Sequence, residues 1–189
     1  GGMYDTMQAD DESGANLADL WIDNRSTSWT PEQITSFCGA LETAWASSTV
    51  TPSLDSCEGR TVTQGAMFHT NDTGQHIINS LWHGIPDDAN ADRVWMPKGH
   101  SEGRTAVSAD EIVIDAHVTE ALELSLGDTV SIGAGNATAE FTIVGTGYHP
   151  LHVLFAPEGE LFPSEPGQYV VGYLSDAGMA RLTGEAVGT

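Results

Sequence analysis

Lysine is almost absent. Lys98 is the only one, and together with Arg25, Arg60, Arg93, Arg104 and Arg181 it faces 27 Asp and Glu residues in a chain of 189. A nucleic-acid partner needs clustered cations to meet phosphates, so this scatter of six excludes that class. Long apolar runs are missing too: the stretch from Leu151 to Pro157 is broken by His152, far short of the roughly 20 residues that span a bilayer. Gly1-Gly2-Met3 has neither the basic nor the apolar start of a secretion signal, which leads us to expect a segment excised from a longer protein. There is no Gly-rich phosphate loop and no CxxC pair, so neither a nucleotide site nor a thiol-redox or zinc motif is encoded.

What is present is enough for a core. Apolar residues make up 40% of the chain, sufficient for one ordinary domain or two small lobes despite a net charge of −21. Dense carboxylates keep a surface hydrated where salt screens their repulsion, so a protein built for high-salt surroundings is one reading. A lysine-poor genome or a calcium-loaded protein are the others. The two cysteines, Cys38 and Cys57, are an even count and point to one disulfide closing a loop worth up to about 3 kcal/mol; two unpaired buried thiols are the alternative. Asn24-Arg25-Ser26, Asn71-Asp72-Thr73 and Asn136-Ala137-Thr138 are glycosylation-type sequons that fit an oxidising compartment.

Along the chain, residues 1–14 read as a flexible acidic lead-in, and Asn16 to Ile22 as a first strand. Thr30-Pro31-Glu32-Gln33 is a helix start, with a Thr cap and Pro at the first position. The helix that follows shows Ile34, Phe37, Leu41 and Trp45 on one face and should end near Ala46. Strands are expected within 50–68 and over His76–Ile85, then a polar turn at Pro86–Asp92. In the second half, Glu111–Asp115 is a β-rich run leading into a helix over Ala116–Leu124. Thr129–Ile132 and Ala139–Val144 read as a hairpin across Gly133–Asn136. Gln168–Leu174 is a last strand, with Ser175 capping a final helix. Uneven alternation of strands and helices points to α+β, a mixed sheet with packed helices.

Candidate chemistry is sparse. Gly99-His100-Ser101-Glu102-Gly103 matches a nucleophile elbow, with Asp128 and His149 following in hydrolase order. That motif needs a strand before it and a helix after it, and Arg104-Thr105-Ala106-Val107 leads instead toward a strand. Asp88, Asn90 and Asp92 copy the first ligand positions of a calcium loop, but Arg93 stands where the turn needs Gly and Gly99 where it needs Glu. That excludes an EF-hand and leaves a loose surface calcium site open. His69, His76 and His83 recur every seven residues, and His149 and His152 form a near pair, with no third ligand at an obvious spacing. We assign no catalytic residue, metal ligand or cofactor.

The order of the pieces is similar to the extracytoplasmic, periplasmic-core-like domain of FtsX/MacB-type ABC transporter permeases. Asn16-Leu17-Ala18-Asp19-Leu20-Trp21 followed by Thr30-Pro31-Glu32-Gln33-Ile34 looks like that domain's start. Gly84-Ile85-Pro86-Asp87-Asp88 and Trp95 to His100 resemble its next segments, with His100 where Arg is usual. The strongest match is Asp110 through Gly145, DEIVIDAHVTEALELSLGDTVSIGAGNATAEFTIVG; Tyr169 to Leu174 and Met179 to Gly184 resemble its close.

The resemblance implies a porter-like α/β lobe from about 15–65 and 145–189, with a smaller β-rich lobe inserted at about 66–144. It implies a non-catalytic domain at the cell membrane, facing the extracellular or periplasmic side. Its partners would be its own transmembrane helices, a separate cytoplasmic ATPase subunit, and an extracytoplasmic protein, lipid or peptide. The whole permease would be dimeric and the excised domain a monomer. A free secreted binding module and a secreted hydrolase using Ser101 are the alternatives. Leu151, Val153, Leu154, Phe155 and Leu161, apolar among Pro and Gly, are the expected interaction surface, unless they pack beneath their own loop.

Overall fold

A computed structural model describes residues 14–16, 18, 20–22, 29–51, 53–71, 74–148 and 164–184. Six strands form one closed barrel: β1 (Thr61–Asn71), β2 (Gly74–Ile85), β3 (Glu111–Asp115), β4 (Thr129–Ala134), β5 (Ala137–Gly147) and β6 (Tyr169–Ser175). Their order around the wall is β1-β2-β6-β3-β5-β4. β1 returns to β4 from Gly65↔Ala134 to Phe68↔Ser131, which closes the ring. The β2–β6 and β3–β5 pairs are parallel and the remaining pairs antiparallel. Among the described residues they are accompanied by the helices α1 (Pro31–Ala46), α2 (Ala116–Ala121) and α3 (Asp176–Thr183).

Strand alternation builds two cores on the two sides of one wall. Ile112 and Ile114 of β3, Val170 and Leu174 of β6, Ile78 and Trp82 of β2, and Phe141 and Ile143 of β5 point into the barrel. Met67 of β1, Val130, Ile132 and Ala134 of β4, Val118 of α2, and Met179 and Leu182 of α3 belong to the same cluster. The intervening residues Val113, Tyr169, Val171 and Tyr173 point outward and are buried all the same. Trp82 is fully buried and fits because Gly65 and Gly172 leave room beside its ring; its indole N–H donates to the Gly133 carbonyl at 3.0 Å.

The expected α+β architecture is therefore corrected. A layered α/β lobe needs helices long enough to bury the faces of its sheet. Here α1 has no buried residue, and α2 and α3 span 6 and 8 residues. Closure of the sheet buries its inner face instead, which gives a mixed β-barrel rather than a porter-like lobe with packed helices.

Local signals fared better. Thr30 caps α1 in a full capping box with Gln33, and the helix ends at Ala46. Ser175 caps α3 by accepting from the Gly178 N–H at 3.1 Å. β4 and β5 form the expected hairpin, with a shorter turn at Gly135-Asn136. The strand expected over Asn16–Ile22 is not formed by its described members, and Leu20, Trp21 and Ile22 are exposed.

Candidate functional site

Between β2 and β3 the chain runs through residues 86–110 without a regular element. This strap lies along the outer wall, held by β5 where β5 outruns β4. Trp95 and Tyr148 exchange backbone hydrogen bonds of 2.9 and 2.8 Å. Arg104 donates to the Val144 carbonyl at 3.0 Å, and Thr146 to the Glu102 carbonyl at 2.9 Å. Gly103 has φ +76°, and a side chain there would collide with the Val144 carbonyl, so only glycine lets the strap approach this closely.

The start of the strap is clamped from the other side. Arg60 donates to the Ala91 carbonyl at 2.6 Å and to Glu58 at 2.8 Å, while Glu58 accepts from the Asn90 N–H at 3.0 Å. Asp92 accepts from the Ala18 N–H at 3.0 Å; burial raises its carboxyl pKa, and that hydrogen bond opposes the rise. The strap's far end is tied by Glu111, which binds Arg104 through both carboxylate oxygens and accepts from the N–H groups of Val107 and Ser108. Those bonds, Arg104 foremost, hold the Glu111 carboxyl down at about 2.

Val94, Met96 and Ala106 reach from the strap onto Val113, Tyr173 and their neighbours, forming the second core. Beside that contact a cleft of about 360 Å³ remains open. Its walls are mainly apolar, with Ile85, Val94, Val107, Val113 and Leu174 among them; Asp87, Arg93 and Thr105 bring polar side chains. Tyr173 forms part of the lining, its ring 5.7 Å from that of His83, and burial raises its hydroxyl pKa well above the ordinary value. The size lies within the roughly 300–1,000 Å³ of small-molecule sites. Arg93 is half-buried and its Nε has no hydrogen-bond partner.

A second cluster lies at the end of β3. Asp115 is 1% exposed and caps α2, accepting from the His117 N–H at 2.9 Å and meeting His117 Nδ1 at 3.0 Å. Burial pushes its carboxyl up to about 6, against the pull of His117. The His117 ring is largely exposed and sits edge-on to Tyr148 at 5.2 Å. A carboxyl poised in this range suits proton transfer. Its contacts also describe an ordinary helix cap.

The residues singled out from sequence mostly part company. Cys38 and Cys57 do form a disulfide, with Cα atoms 5.5 Å apart. Ser101 lies on the strap rather than on a strand-to-helix turn, and its hydroxyl donates to the Pro97 carbonyl at 2.8 Å. Asp128 accepts from the Ser125 N–H in a local turn. Asn90 and Asp92 are committed to neighbouring backbone and side chains, and among the described residues no group of three or more His, Cys, Asp and Glu side chains gathers to hold a metal. His69 and His76 are cross-strand partners on the β1–β2 hairpin, while His83 is buried against Tyr173. His149, His152 and the expected surface of Leu151, Val153, Leu154, Phe155 and Leu161 lie outside the described residues.

Arg93 and Tyr173 were missed. The available signal was a lone cation opening the apolar run Val94-Trp95-Met96 in a chain nearly devoid of cations. No protein-family model matches the chain, and a search of curated proteins finds no match.

Proposed function

We propose that this chain is an extracytoplasmic domain of an ABC transporter permease of FtsX/MacB type, a binding and coupling element without chemistry of its own. The observation that carries the extracytoplasmic part is the Cys38–Cys57 disulfide, since such bonds persist mainly on the oxidising side of a membrane. The permease part is supported by the resemblance that is strongest over Asp110–Gly145, the stretch that forms β3, α2, β4 and β5. The domain responds to ATP hydrolysis in a separate cytoplasmic subunit and handles a protein, lipid or peptide outside the membrane. The surroundings of Ser101 lend no support to the hydrolase alternative.

The test is to read the native reading frame beyond both ends. Apolar stretches of roughly 20 residues flanking the chain are expected. A cleavable signal directly before residue 3 and a stop soon after Thr189 would overturn the permease assignment and leave a secreted binding module.

A further inference from the structure

We propose that the cleft between the strap and the barrel wall binds a small monoanionic carboxylate with an apolar body, held by the Arg93 guanidinium. This site stands independently of the permease assignment. The chain has 27 carboxylates, so partners for arginine are plentiful. Arg60 is bound to Glu58 and two carbonyls, Arg104 to Glu111, and Arg181 to the Ala109 and Glu140 carbonyls over the Phe141 ring. Arg93 alone among the described arginines makes no side-chain hydrogen bond or ion pair, though it is half-buried and lines the cleft. Its Nε is buried without a partner while the residue as a whole keeps partial exposure, so an anion can reach the planar fork from the cleft and pair with it in bidentate fashion.

The walls choose the rest of the ligand. Val107, which is exposed, and the partly buried Ile85 offer apolar surface to a hydrocarbon or aromatic body, with Val94 beside them. Asp87, exposed and lining the same cleft, repels additional negative charge, so a single carboxylate is favoured over phosphate or a dicarboxylate.

The experiment titrates the full chain with benzoate, benzamide and inorganic phosphate at constant KCl, following backbone amide shifts by NMR. Benzoate should produce saturable shifts at Val94, Val107 and Leu174, with benzamide weaker by about tenfold or more because it cannot form the charge-assisted pair. R93Q should weaken benzoate by about tenfold or more, D87N should tighten it severalfold, and K98Q, which removes an exposed cation outside the cleft lining, should leave it unchanged. Absence of saturable shifts, equal binding of benzamide, phosphate competing as well as benzoate, or full affinity in R93Q overturns the proposal. Should R93Q fail to fold, R93K keeps the charge without the fork; benzoate affinity unchanged in R93K would overturn the bidentate assignment, and the benzoate–benzamide comparison on the unmodified chain still decides the site.

Discussion

Asp115 shows how one side chain serves the fold and strains it together. As the cap of α2 it satisfies the His117 N–H, yet it lies 1% exposed. Burial favours its neutral form, so the folded chain holds this proton more tightly than the unfolded chain, with the pKa raised from 3.8 to about 6. The stability this contributes is fully present below pH 3.8 and is lost as pH rises through about 6. Asn keeps the capping oxygen and cannot ionise. D115N should therefore flatten the decline in unfolding free energy across that window, and at pH 7 should be more stable than the unmodified chain by ~1–2 kcal/mol in urea melts. A D115N variant less stable at pH 7 would show that the ionised carboxylate is, on balance, stabilised by His117.

At the level of elements, α1 and the barrel contrast. The helix has a complete capping box and an apolar face of Ile34, Phe37, Leu41 and Trp45, but these are only half-buried. Phe37 packs edge-on to Trp29, Ile34 rests against Gly59, and the Cys38–Cys57 disulfide anchors the middle. An isolated helix of this length is marginal in water. The double variant C38S/C57S should accordingly lose helical circular dichroism and amide protection over 31–46, with barrel amides still protected and the main melting transition shifted by less than about 3 °C. A cooperative loss of barrel protection would show instead that α1 is integral to the barrel's stability.

For the whole molecule, charge dominates. A net −21 on 189 residues repels itself, and no cationic face offsets it. Raising KCl from 0.1 to 2 M shortens the screening length from roughly 10 Å to less than 3 Å. The melting temperature should rise across that range, steeply at first. A flat response would mean that the carboxylates are spaced widely enough for hydration alone to accommodate them.

The sequence by itself determined the local pieces. Thr30-Pro31-Glu32-Gln33, Ser175 before Asp176, and the paired alternating runs across Gly133–Asn136 are signals whose physics is complete within a few residues; both caps formed as read, and the hairpin formed with its turn shortened to Gly135-Asn136. The disulfide was legible from an even pair of cysteines. Barrel closure was not legible. It depends on β1 finding β4 and β6 entering between β2 and β3, pairings between segments distant in sequence that leave no mark in the periodicity of any one strand. Nor did the pattern announce that the outward residues of β3 and β6 would be buried, because what buries them is an irregular strap. The cleft and its unpaired Arg93 follow from that strap, so tertiary structure alone made a site of them: a guanidinium's partner is decided by what packs around it, not by its neighbours in the chain.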